Sequence, residues 1–148
     1  MPAEAAPWRL LFLCTGNSCR SQMAEGWARH FAGDRLAIHS AGIEAHGQNP
    51  RAIAVMAEAG VDISGQRSKH LDEVAGAGLD WVVTVCDHAN ETCPVPPGGA
   101  RRLHAGFDDP PRLAAGAADE REALAHYRRV RDEIRAFVED LPRRLEAT

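Results

Sequence analysis

No apolar run in these 148 residues approaches the roughly 20 needed to cross a bilayer. The opening Met-Pro-Ala-Glu-Ala-Ala-Pro has neither the basic region nor the apolar segment of a signal peptide, so a cytoplasmic protein is expected. Also missing is a basic excess. The formal charge is −4, and the one basic cluster, Arg128, Arg129 and Arg131, is interleaved with acids on a single helical stretch. That argues against nucleic acid or a membrane as partner. Repeats and low-complexity tracts are absent apart from an Ala/Gly-rich patch at 114–118. Cysteine is scarce: Cys14, Cys19, Cys86 and Cys93 are the only four. Because cytosolic thiols are kept reduced, permanent disulfides are not expected, which leaves catalysis, redox chemistry or metal binding.

What is present is ordinary globular composition, with 26% charged and 45% hydrophobic residues in a length that suits one domain without metal or disulfide staples. Residues 1–7 carry two prolines and read as a loose, disordered tail, with the domain running over 8–148. Residues 10–13 (Leu-Leu-Phe-Leu) suit a strand buried on both faces. A helix follows over 21–31, with Met23, Trp27 and Phe31 at helical spacing. Residues 36–41 suggest a second strand, and a helix starts at Pro50 and stops near Gly60. Residues 71–77 read as another short helix, and Trp81-Val82-Val83-Thr84-Val85 is the clearest strand, ending on Cys86. Three prolines and two glycines make 87–99 a loop. A last strand is expected over 101–107, then a loop at Asp108-Asp109-Pro110-Pro111, then a long amphipathic helix over about 119–145 with Pro142 near its end. Alternating strands and helices of these lengths predict an α/β fold: one domain with a four-stranded parallel sheet and helices on both faces. The ligand site of such a sheet lies beyond the carboxyl ends of its strands.

The first turn reads Cys14-Thr15-Gly16-Asn17-Ser18-Cys19-Arg20-Ser21. A cysteine and an arginine separated by five residues, between a buried strand and a helix, make an anion cradle. The N–H groups of Thr15, Gly16, Asn17, Ser18, Cys19 and Arg20 can converge on a tetrahedral oxyanion while the Arg20 guanidinium takes two of its oxygens. Gly16 and Asn17 tolerate the left-handed backbone such a loop needs. The same positive field should favour thiolate at Cys14, the nucleophile, and Ser21 could donate a hydrogen bond to it. The competing reading of a bare Cys-x5-Arg match is a buried cysteine beside a surface arginine; its position between strand and helix weighs against that here.

The segment from Cys14 to Trp27 resembles the signature of the low-molecular-weight tyrosine phosphatase family, and within it the arsenate reductases. The likeness continues through Ser40-Ala-Gly-Ile-Glu44, His46-Gly47, Asn49-Pro50, Val61-Asp-Ile-Ser64, the Cys86 to Cys93 segment, Gly106-Phe-Asp-Asp-Pro110 and Arg129-Val-Arg-Asp-Glu-Ile134. The resemblance implies the parallel α/β fold already read from the pattern. It also implies a general acid at Asp109, the aspartate before Pro110, with Asp108 the less favoured neighbour. Aspartate before proline is equally a turn device.

A phosphatase has no use for two further cysteines, whereas reducing As(V) to As(III) takes two electrons that one thiol cannot supply. As in the reductases it resembles, Cys14 would form a thiol-arsenate adduct and Cys86 would then attack the Cys14 sulfur. Cys93 would resolve that disulfide to leave Cys86–Cys93, which a thioredoxin-like or glutaredoxin-type partner would reduce. No permanently bound cofactor or metal is implied, phosphate and sulfate should mimic arsenate, and a monomer is the default. A low-molecular-weight tyrosine phosphatase is the alternative reading, and a non-catalytic oxyanion or redox sensor a third, disfavoured by Asp109. For Cys86 and Cys93 the other readings are buried structural thiols or a zinc site with Asp87 and His88, whose spacing repeats no familiar ligand pattern. Cys19 either packs inward, the preferred reading, or forms a protective disulfide with Cys14. His46 and His104 are more readily surface or hydrogen-bonded residues than catalysts, and Trp27 and Trp81 core. Some of these reductases hold potassium behind the cradle with residues matching Asn17, Glu25 and Ser40 plus an acid. Here the acid's position holds Lys69, whose ammonium is expected to take the ion's place and pair with Glu25, the other reading being a solvated surface lysine beside an empty site.

Overall fold

Leu10, Leu11, Phe12 and Leu13 have no exposed surface, as a strand covered on both faces requires. They form the centre of β1 (Trp8–Cys14), which pairs in parallel with β2 (Leu36–Gly42) on one side and β3 (Trp81–Thr84) on the other. β4 (Arg101–His104) extends the sheet beyond β3, giving four parallel strands in the order β2-β1-β3-β4. The structure, a computed structural model, describes residues 8–33, 36–74, 76, 78–86 and 99–147. The expectations placed on the tail 1–7, on Asp87 and His88 and on Cys93 lie outside these residues.

Among the described residues four helices cover the sheet: α1 (Arg20–Ala32), α2 (Pro50–Glu58), α3 (Pro110–Ala115) and α4 (Glu120–Ala147). α4 buries Ala123, Tyr127, Val130, Ile134, Val138, Leu141 and Leu145 at the expected three- and four-residue spacing and packs on α1, α2 and α3. α2 starts as read from Pro50. Asn49 caps it, its side chain accepting from the Arg51 and Ala52 N–H groups, and Gly60 beyond its end takes φ +88°. Among the described residues no helix is long and apolar enough to cross a membrane.

Three local expectations need correction. The loop placed at Asp108-Asp109-Pro110-Pro111 turns into α3 at Pro110, because prolines in a helix's first turn give up N–H groups that would have no intrahelical partner. The helix expected over 71–77 is a 3-10 turn at Leu71–Glu73, residues 75 and 77 being outside the described set. The strand expected over 101–107 ends at His104. The chain still runs beside β3, with Ala105 and Phe107 donating to the carbonyls of Thr84 and Val85, but without regular pairing.

From β1 the chain moves to β2 on one side, then returns to β3 and β4 on the other. The crevice between the carboxyl ends of β1 and β3 is therefore the switch point where open α/β sheets bind ligands. Cys14 ends β1 and Cys86 lies two residues past β3.

Candidate active site

The loop between β1 and α1 is held from outside by the segment after β2. The N–H groups of Ile43, Glu44, His46 and Asn49 donate to the carbonyls of Cys14, Thr15, Gly16 and Ser18 at 2.8–3.1 Å. Four of the loop's carbonyls are thereby engaged by the segment after β2, and the loop leads into the N-terminus of α1, whose first turn carries no acid. Both partners must come close. A Cβ on Gly16 would lie 2.9 Å from His46 Cγ and nearer still to Nδ1, and one on Gly42 would lie 2.7 Å from both Asn17 N and Thr15 O.

Asn17 takes φ +49° and is fully buried, and its side chain works behind the loop rather than in the cleft. The Lys69 N–H donates to Asn17 Oδ1 at 2.8 Å, which fixes the amide's orientation. Both Nδ2 protons are then used, one to Ser21 Oγ at 2.8 Å and one to Ser40 Oγ at 3.0 Å. Ser40 Oγ in turn donates to the buried Glu25 carboxylate at 2.5 Å. Ser21, already an acceptor from Asn17, has its proton left for Cys14 Sγ at 2.8 Å.

At Cys14 the influences expected to favour thiolate are opposed by burial. Burial pushes the Cys14 thiol up, and Cys86 adds to this. The opposing influences are hydrogen bonds from the Ser21 side chain and from the Ser21 and Asn17 backbones. The Arg20 guanidinium donates to Phe107 O at 2.9 Å and lies 3.6 Å from Asp109 Oδ1. Cys19 is buried, and burial followed by the neighbouring Cys14 pushes its thiol strongly up, the behaviour of a packed and inert side chain.

A cleft of about 260 Å³ brings together Cys14, Thr15, Gly16, Ser18, Cys19, Arg20 and Asp109, seven of the residues singled out from the sequence. Beside it a second cleft of about 320 Å³ shares Thr15, Arg20 and Asp109 and contains Cys86. Thr15 Oγ1 lies 3.4 Å from Cys86 Sγ, so one hydroxyl stands between cradle and second thiol. Asp109 occupies the N-cap position of α3 but makes no capping bond, leaving its carboxylate to face Arg20. Asp108 is engaged elsewhere, by Arg129 at 2.9 Å. Sequence reasoning took His46 as a surface or hydrogen-bonded residue, as its bond to Glu44 shows it to be, but did not place it in the wall of the cradle cleft. It missed Pro111 in the same wall. The close approach at Gly16 leaves no trace in the sequence; Pro111 was hidden with the start of α3. His104 bonds Thr84 Oγ1 on the sheet, away from the cleft.

A parallel sheet with a cysteine–arginine oxyanion loop at its switch point and an aspartate from a late loop facing it defines a phosphatase-type centre. Residues 9–148 match the model of the low molecular weight phosphotyrosine protein phosphatase family, and the chain belongs to it. Within that family it is similar to an arsenate reductase of Bacillus subtilis, 54% identical over 125 residues that cover 84% of this chain and 88% of the relative. Among solved structures it resembles an arsenate reductase in the phosphate-binding state, with 31% identity, TM-score 0.69, and 90% and 95% of the two chains covered. It also resembles a thioredoxin-dependent arsenate reductase of Corynebacterium glutamicum, with 27% identity, TM-score 0.70, and 97% and 64% covered.

Proposed function

We propose that this chain reduces arsenate to arsenite by a three-cysteine relay. The observation that carries the reading is the position of Cys86, buried at the rim of the cradle and 3.4 Å from the hydroxyl of cradle residue Thr15. Arsenate enters the cleft and draws Arg20 from Asp109 onto its oxygens. Cys14 Sγ attacks arsenic and a water leaves, giving the thiol-arsenate adduct. Cys86 Sγ then attacks Cys14 Sγ. The sulfur–arsenic bond breaks, its electron pair stays with arsenic as As(III), and the two thiols are left joined as a disulfide. Cys93 exchanges into it, freeing Cys14 and closing Cys86–Cys93, which a thioredoxin-type dithiol reduces. The similarity to a thioredoxin-dependent relative supports that class of reductant.

The shared cradle and Asp109 also support a slower hydrolysis of phosphomonoesters, with Cys14 as nucleophile and Asp109 as the acid for the leaving oxygen. The deciding assay supplies arsenate with thioredoxin, thioredoxin reductase and NADPH, beside a second supplying glutathione and glutaredoxin. Arsenate-dependent NADPH oxidation in the first is expected. Absence of turnover in both, with phosphomonoester hydrolysis intact, would establish a phosphatase instead.

A further inference from the structure

Lys69 is the only lysine in a chain whose lysines and arginines together number 17. It runs along the outer edge of β2, where the Gly42 N–H donates to Lys69 O at 2.9 Å and Gly42 bridges to His70. Alternate residues of an edge strand present their polar groups to the same side, so the Ser40 carbonyl faces Lys69 too. Its Nζ reaches that carbonyl at 2.9 Å and the Arg67 carbonyl at 2.9 Å. Farther along the same edge, Ile38 O receives Arg29 at 2.8 Å. Cations thus cap the carbonyls of an edge that would otherwise be open for pairing.

A potassium ion behind the cradle does not fit these residues. Asn17 Oδ1 is taken by the Lys69 N–H and by Gln22 Nε2 at 3.2 Å, the Glu25 carboxylate by Ser40 and Arg29, and Ser40 O by the ammonium. An added cation would also meet a like charge. The expected pairing with Glu25 takes another form: Glu25 attracts the ammonium without a hydrogen bond, while partial burial pulls the Lys69 pKa down.

We propose that Lys69 is a positioning residue whose ammonium acts as a built-in cation. It clamps Ser40 and the 67–69 segment together so that the Lys69 N–H holds Asn17 in the left-handed conformation that shapes the cradle. A lysine suits this place because its compact head directs three donors at separate carbonyls, whereas a guanidinium is a planar fork.

The inference rests on the cradle, not on arsenate chemistry, so inorganic phosphate is the probe. Phosphate affinity is measured for the unmodified chain, Lys69→Ala and Lys69→Arg in sodium and in potassium or ammonium salts at equal ionic strength. The unmodified chain should bind equally in all. Lys69→Ala should lose roughly tenfold or more in sodium, as expected when hydrogen bonds from a charged group are removed, and regain much of it in potassium or ammonium. Lys69→Arg should not restore full affinity. Potassium stimulation of the unmodified chain, undiminished binding by Lys69→Ala, a loss that no cation recovers, or full affinity in Lys69→Arg would each overturn the proposal. If Lys69→Ala is too unstable to titrate, its melting temperature decides. A higher value in potassium than in sodium supports the built-in cation, and equal values overturn it.

Discussion

Ser21 Oγ lies 2.8 Å from Cys14 Sγ, and the Asn17 amide donates to it from the other side, which keeps the Ser21 proton available to a Cys14 thiolate. Burial raises the Cys14 pKa and the Ser21 bond lowers it, so activity that requires thiolate rises with pH as Cys14 titrates. Ser21→Ala removes a lowering influence. The rising limb of the kcat/KM profile should move to higher pH, with a loss of roughly tenfold or more at neutral pH, the scale of a hydrogen bond to a charged group. An unmoved limb would show that Ser21 does not serve the thiolate.

Cys86 sits beside the cradle without lining its cleft, so the two activities should separate at this residue. Cys14→Ser should abolish both. Cys86→Ala should abolish arsenate turnover with thioredoxin while phosphomonoester hydrolysis stays within a few-fold of the unmodified chain. Arsenate turnover surviving in Cys86→Ala would remove Cys86 from the relay.

Asp109 should separate them the other way. An ester's leaving oxygen carries no proton and must take one from the protein, whereas the leaving hydroxyl of arsenate already carries one and departs as water on gaining the Cys14 thiol proton. Asp109→Asn should lower phosphomonoester hydrolysis by about 10²–10⁴-fold, the usual contribution of a general acid, and lower arsenate turnover far less. Equal losses in both assays would assign Asp109 to holding Arg20, 3.6 Å away, rather than to proton donation.

Gly42 passes so close to the loop that a Cβ would collide with Glu44 O and lie 2.7 Å from Asn17 N, backbone atoms that cannot swing aside. Gly42→Ala should destabilise the fold by about 1–3 kcal/mol, the scale of overpacking, and weaken phosphate binding at the same time. Denaturant unfolding and a phosphate titration read the two effects. Unchanged stability would contradict the close approach.

The parts of the fold legible in the sequence were those in which neighbouring residues share one fate. Leu10 to Leu13 are all buried, α4 repeats its apolar positions along its whole length, and Asn49-Pro50 marks a helix start by local chemistry alone. The cradle was legible for the same reason, since strand, Cys-x5-Arg loop and helix are contiguous. The features that stayed hidden depend on distant chain. The Lys69 N–H, 52 residues away, joins the nearby Gln22 amide in fixing the direction of the Asn17 side chain. Phe107 O and Asp109 engage the Arg20 guanidinium from a late segment of the chain, a pairing that the loop's own sequence does not reveal. Pro110 and Pro111 read as a loop because their other use, in a helix's first turn, depends on whether Arg112 to Ala115 can continue that turn and find a surface to pack on.

The relay is tested most directly by mixing fully reduced protein with excess arsenate in the absence of any reductant, then quenching with acid and mapping disulfides by mass. The expected result is one arsenite released per chain and a Cys86–Cys93 bond. A chain that releases no arsenite, or that yields mainly Cys14–Cys19, would contradict the three-cysteine mechanism.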